Sequence, residues 1–114
     1  MNNEISTIDK FFYLNGQIIA EFNYQIEKYL FVDENYFIIL LDVGIHAKCN
    51  NNVHCIDKQG KNKWIIELRN YPNSDCPVSN IYIEQNNLMA YRFCGIEEKI
   101  DLETGKILMS ELIK

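Results

Sequence analysis

Six side chains in this chain could do chemistry: Cys49, Cys55, Cys76 and Cys94, with His46 and His54. Structural zinc sites draw thiolates and imidazoles from tight pairs such as C-x-x-C, and no such pair occurs, so no metal site is assigned. Cys55 and Cys94 instead suit small buried hydrophobes, with Cys49 and Cys76 in loops. A nucleophilic cysteine needs a base within hydrogen-bond reach. His54 and Cys55 are neighbours on an expected strand, so their side chains leave opposite faces and cannot pair. What remains is a small hydrolase built on His46 with a loop cysteine or aspartate, carried as an alternative to a binding function. Ser6, Ser74, Ser79 and Ser110 show no nucleophile elbow, and there is no glycine-rich phosphate loop or dinucleotide fingerprint. No catalytic, cofactor-binding or metal-ligating residue is therefore assigned.

The acids point elsewhere. Asp and Glu number 16 against 11 Lys and Arg, for a formal net charge of −5, and the only arginines are Arg69 and Arg92. Nucleic-acid binding requires clustered cations that displace counterions, and none is visible. Asp57 and Asp101 recur at equivalent places beside turns, which assigns them to bonding the turn backbone. The remaining loop acids Asp33, Glu34, Asp75, Glu97 and Glu98, with Arg69 and Tyr71, form the expected partner-facing set. Tyrosine occurs 7 times, and it anchors interfaces because it buries a large area at low entropic cost. Tyr71, in a proline-containing loop beside Arg69, is the leading anchor.

The elements that position these residues read as strands. Alanine is rare, while isoleucine, tyrosine and phenylalanine dominate the apolar set and pack well on a pleated surface. Three turn signals, Asn15-Gly16, Gln59-Gly60 and Thr104-Gly105, place their glycines 44 and then 45 residues apart. Each is flanked by strand-forming runs, as in Val53–Asp57 before Gly60 and Trp64–Leu68 after it. Four residues after each glycine stands Ala20, Trp64 or Met109, a shared inward position. Other hairpins turn at Glu34-Asn35 and at Gln85-Asn86-Asn87. The run Tyr36–Leu41 is apolar on both faces, as in an interior strand. The loops are 44–52 and 70–79, the latter holding both prolines, which cannot donate within a central strand. Tyr29–Asp33 reads as strand, with a helix over 22–31 as the rival: Ile26, Tyr29 and Leu30 have helical spacing, but there is no strong cap and the surroundings are β-rich.

Ile56-Asp57-Lys58-Gln59-Gly60-Lys61 with Trp64, and Ile100-Asp101-Leu102-Glu103-Thr104-Gly105-Lys106, resemble the repeat of quinoprotein-like and WD-like β-propellers. That resemblance implies blades that are four-stranded meanders of about 40–50 residues. This chain supplies about two and a half units, near 8–22, 29–68 and 80–114, too few to close a ring. No quinone or metal site of those enzymes carries over.

These readings converge on one all-β domain over residues 1–114, made of antiparallel meanders arranged as a partial propeller-like array or a small twisted sandwich. The polar start, Met1–Lys10, shows no signal peptide, and the longest apolar run is too short to span a bilayer, so no membrane is expected. Four unevenly spaced cysteines imply free thiols in a reducing, cytoplasmic setting. The expected function is non-enzymatic protein binding without cofactors. The type envisaged is a small acidic inhibitor, such as a bacterial immunity protein, antitoxin or phage counter-defence protein, that blocks a basic toxin or nuclease-like partner. The alternative is a self-assembling β module that pairs through its edge strands.

Overall fold

The computed structural model describes residues 4–44, 48–69, 71 and 75–113. The described chain is all-β, with three antiparallel sheets succeeding one another along the sequence. The first sheet holds β1 (Ile5–Ile8), β2 (Phe11–Leu14) and β3 (Gln17–Glu21). The second holds β4 (Gln25–Phe31), β5 (Tyr36–Asp42), β6 (Val53–Asp57) and β7 (Asn62–Ile65). The third holds β8 (Val78–Glu84), β9 (Asn87–Arg92), β10 (Ile96–Ile100) and β11 (Ile107–Leu112). Every neighbouring pair is a simple meander, and no sheet closes on itself. The unit expected near 8–22, turning at Asn15-Gly16, is a three-stranded sheet, because Ile5–Ile8 adds to β2. Residues 25–31 are strand, and among the described residues there is no helix that could cross a membrane.

The second sheet is the middle layer. Phe37, Ile39, Leu41 and Ile56 pack toward Phe12 and Leu14 of the first sheet. Ile38, Leu40, Cys55 and Trp64 pack toward Ile81, Leu88, Ala90 and Ile100 of the third. Alternate residues of β5 thus enter two different cores, which is why its sequence is apolar on both faces.

The sequence repeat is a structural one. Asp57 Oδ1 accepts from the backbone N–H of Gln59 at 2.8 Å and of Lys61 at 3.0 Å; Asp101 Oδ1 accepts from Glu103 N–H at 2.9 Å. The turn role assigned to these two aspartates therefore holds. Each sheet also carries a β-bulge at the equivalent place, between Phe12 and Tyr13, Cys55 and Ile56, and Lys99 and Ile100. The extra residue opposite is Ile19, Lys63 or Leu108, always three after the turn glycine.

The glycine turns are where successive sheets meet. A Cβ on Gly60 would lie 1.8 Å from the Ile19 carbonyl oxygen, and one on Gly105 would lie 2.5 Å from the Trp64 ring. The backbone of one sheet's turn is thus pressed onto the last strand of the sheet before it. Trp64 Nε1 donates to the Leu102 carbonyl at 2.8 Å across the same junction. Ala20 and Trp64 share the inward position, as the repeat predicts. Met109 does not: it is 61% exposed, and no sheet among the described residues packs on it.

Candidate functional site

Three places stand out: a buried ion-pair cluster, a cleft between the first two sheets, and the exposed apolar edge strand of the third.

In β9 and β10, strict alternation sends Leu88, Ala90 and Arg92, and then Glu98 and Ile100, into the core. Arg92 and Glu98 are both fully buried, and Arg92 Nε donates to Glu98 Oε1 at 2.7 Å. Arg92 Nη1 donates to the carbonyls of Asn50 (2.7 Å) and Cys76 (2.8 Å). Tyr71 covers the pair: its hydroxyl donates to Glu98 Oε2 at 2.7 Å and its ring lies 4.3 Å from the guanidinium. Burial, reinforced by the Glu98 carboxylate, raises the Tyr71 phenol far above its usual value. Beside the cluster, Asn52 ties the second sheet to the third, donating to Leu41 and Val78 carbonyls and accepting from Val78 N–H.

This cluster bears on two members of the expected partner-facing set. Glu98 is not on the surface, and Tyr71 is spent on lidding an ion pair, because an uncompensated buried carboxylate is costly. Glu97 accepts from the Tyr82 hydroxyl. Asp75 is half-buried with Oδ1 unpaired. Arg69 donates to the Ile107 carbonyl at 3.1 Å. Asp33 accepts from Asn35 N–H at 2.7 Å in the β4–β5 turn, with Glu34 exposed beside it. The structure thus gathers Tyr71 and Glu98 around Arg92, and places Asp33 and Glu34 on a separate turn. The alternation of 88, 90, 92 and of 98, 100 is the sequence signal that points Arg92 and Glu98 inward.

Cys76 and Cys94 are joined in a disulfide, with Cα atoms 5.2 Å apart. This overturns the expectation of four free thiols, and with it the ground for inferring a reducing compartment. Only the fold brings β9's end against the loop before β8; a separation of 18 residues in sequence carries no such signal. Cys49 and Cys55 are free. Burial pushes the Cys55 thiol up to about 11, which leaves about 10²-fold less thiolate than its ordinary value of 9.0 allows. Alkylation of the native protein should therefore modify Cys49 first and Cys55 only on unfolding. Mass spectrometry should count two reactive cysteines before reduction and four after; four in the unreduced, unfolded chain would disprove the pairing.

The cleft, of about 490 Å³, lies between β3 with its following turn and β6; Phe22, Tyr24, Cys49, Asn51, His54 and Asn62 line it. His54 Nδ1 meets Asn62 Oδ1 at 3.2 Å, which selects the Nδ1–H tautomer. Phe22 stands edge-on to the imidazole, 5.3 Å between centroids. The Cys49 thiol donates to Asn51 Oδ1 at 3.4 Å rather than to the imidazole. His54 and Cys55 do leave opposite faces, one into this cleft and one into the core. His46, on which the hydrolase alternative rested, lies outside the described residues. Among the described residues no three of His, Cys, Asp and Glu gather at metal-binding distance.

Desolvation lowers the His54 pKa below its ordinary 6.5, partly opposed by the bond to Asn62. The folded form then binds fewer protons than the unfolded chain, so stability is complete above pH about 6.5 and falls as the pH drops below it. Thermal unfolding followed from pH 8 down to about pH 5 should show a declining midpoint below that value. His54→Gln should flatten that part of the profile; an unchanged slope would remove His54 as its cause.

The third place is β11. Leu108, Met109 and Leu112 are 55%, 61% and 61% exposed on one edge strand, and Ile113 follows at 37%.

No curated protein matches the sequence. Among solved structures the chain is similar to the computationally designed Ika8 protein, with a TM-score of 0.50 and 13% identity. The likeness covers 100% of this chain and 47% of that one, so the chain spans about half the length of that structure. It bears on the fold alone. The family described as a domain of unknown function, DUF7957, matches residues 2–112, and the chain belongs to that family.

Proposed function

We propose that this domain is a non-enzymatic protein-binding module that engages its partner through the third sheet's last strand and outer face. The observation that carries the reading is the exposed apolar side chains of β11, Leu108 and Met109 at the bulge and Leu112 on the strand's other face beyond Ser110 and Glu111. Exposed apolar side chains along a sheet edge favour association, since both they and the unpaired backbone groups gain from being covered. Native edges that are not used for binding are ordinarily blunted by lysine, proline or charge, and Leu108–Leu112 offers only Glu111.

The acidic-inhibitor version of this reading, an immunity-, antitoxin- or counter-defence-type protein set against a basic partner, is favoured by the net charge of −5 and the exposed Asp33-Glu34 turn. It is weakened by the burial of Glu98 and by the internal use of Tyr71 and Glu97.

Photo-crosslinking in the native cell separates the two. A crosslinking residue replacing Leu112 should capture a protein, and Met109→Lys should abolish the adduct. Capture from position 34 alone would favour the acidic-inhibitor version. No adduct from either position would sink the protein-binding reading.

A further inference from the structure

The repeat says what the open face of the third sheet is shaped to receive. Following the strand registers, one row of side chains in each sheet faces the next sheet. In the first sheet it is Thr7, Phe12 and Ala20. In the second it is Leu30, Ile38, Cys55 and Trp64. In the third it is Tyr82, Met89, Lys99 and Met109. The first two rows are covered by the glycine turn of the following sheet: Gly60 over Ile19 and Ala20, and Gly105 over Trp64. Among the described residues no turn covers the third row, and the bulge residue beside it, Leu108, is exposed with Met109.

The complementary feature is also present and open. The first sheet has its own glycine turn, with Gly16 at φ 82°, the same as Gly60. Yet a Cβ on Gly16 would meet nothing within 4 Å. The face that surrounds this turn is apolar: Ile8 and Ile18 are 61% and 54% exposed, with Phe11 and Tyr13 half-buried beside them. Ile18 occupies the position that Ile107 holds in the third sheet, two residues after the glycine, where Ile107 is buried against the second sheet.

We propose that the chain stacks head-to-tail with a second copy of itself, the Asn15-Gly16 turn and Ile18 face of one copy seating on Leu108, Met109 and Met89 of the other. This deepens the protein-binding reading, on which it rests, by naming the partner. The contact reproduces between molecules the junction that the chain makes twice within itself. Because the two surfaces are different, the interface is heterologous, and successive copies build a ring where the rotation closes or a filament where it does not.

The test is the oligomeric state of the 114-residue chain and of two surface variants, Met109→Lys and Ile18→Lys, both at exposed positions. Sedimentation at about 1–100 μM should show the wild type growing in mass with concentration beyond the 13.4 kDa monomer. Each variant alone should sediment as a monomer with an unchanged circular dichroism spectrum. Mixed together they should form a dimer and stop there, since each supplies the surface the other has lost. A wild type that stays monomeric overturns the proposal, as does association that survives either substitution. Loss of association without rescue on mixing overturns the head-to-tail geometry. Gly16→Ala, which adds a methyl group where the close approach is needed, should weaken association in the same way as Ile18→Lys. If the wild type is monomeric while Leu112 still crosslinks to a different protein, self-stacking fails and the protein-binding reading stands; if that crosslink is also missing, both fail.

Discussion

Arg92→Met should destabilise the domain by about 3–5 kcal/mol, the usual cost of leaving one member of a buried pair behind. Both partners are fully buried, so the Glu98 carboxylate would keep only the Tyr71 hydroxyl as a hydrogen-bond donor. The carbonyls of Asn50 and Cys76 would lose their donor as well. Since Asn50 belongs to the loop before β6 and Cys76 to the loop before β8, the damage falls on the seam between the second and third sheets. The double variant Arg92→Met, Glu98→Leu should recover most of the loss, because replacing a buried ion pair with apolar volume is often close to neutral. Urea unfolding of the wild type, both single variants and the double variant gives the coupling directly. A cost for Arg92→Met under about 1 kcal/mol would mean that water reaches Glu98 and that the pair is not buried in solution.

Gly60→Ala should cost about 3–5 kcal/mol, and Gly16→Ala only about 1–2 kcal/mol. The pair is informative because both glycines have φ of 82°, so an alanine suffers the same backbone strain at either place. They differ in what surrounds them. Within one chain the added Cβ at Gly16 enters open space, whereas at Gly60 it would sit 1.8 Å from the Ile19 carbonyl oxygen. A backbone carbonyl cannot swing aside as a flexible side chain can, so the first and second sheets must separate. The difference between the two substitutions therefore measures the sheet-to-sheet junction free of the turn's own conformational strain. Equal losses at the two positions, read from urea midpoints, would refute the close approach.

The repeat unit was legible because it is local. Asp57 and Asp101 bond the backbone two residues on, and glycine marks the left-handed turn position, so a few neighbouring residues encode each hairpin. The apolar run of β5 likewise declares a strand covered on both sides, whatever covers it. The candidate site was much less legible. The loop acids and Tyr71 read as surface residues by type, but Glu98 is withdrawn by Arg92, a partner that only alternation along β9 and β10 hints at, and Tyr71 lids the pair while staying half-buried. The run Asn50-Asn51-Asn52 reads as a plain loop, yet Asn50 and Asn52 bond the approach to β8 across 26 residues of sequence.

Most of the strands, their turns and their recurrence can be read from the chain alone, since each depends on the conformational preference and periodicity of adjacent residues; Ile5–Ile8, which pairs with β2, cannot. Tertiary structure decided what the four cysteines and two arginines do. It pairs Cys76 with Cys94, sends Cys49 and His54 to one cleft, and buries Arg92 against Glu98 while Arg69 stays half-exposed at the third sheet's edge. It also decided the fate of three residues with the same place in the repeat. Ala20 and Trp64 are covered and Met109 is exposed because cover comes from the next sheet along, and burial is a property of neighbours rather than of residue type.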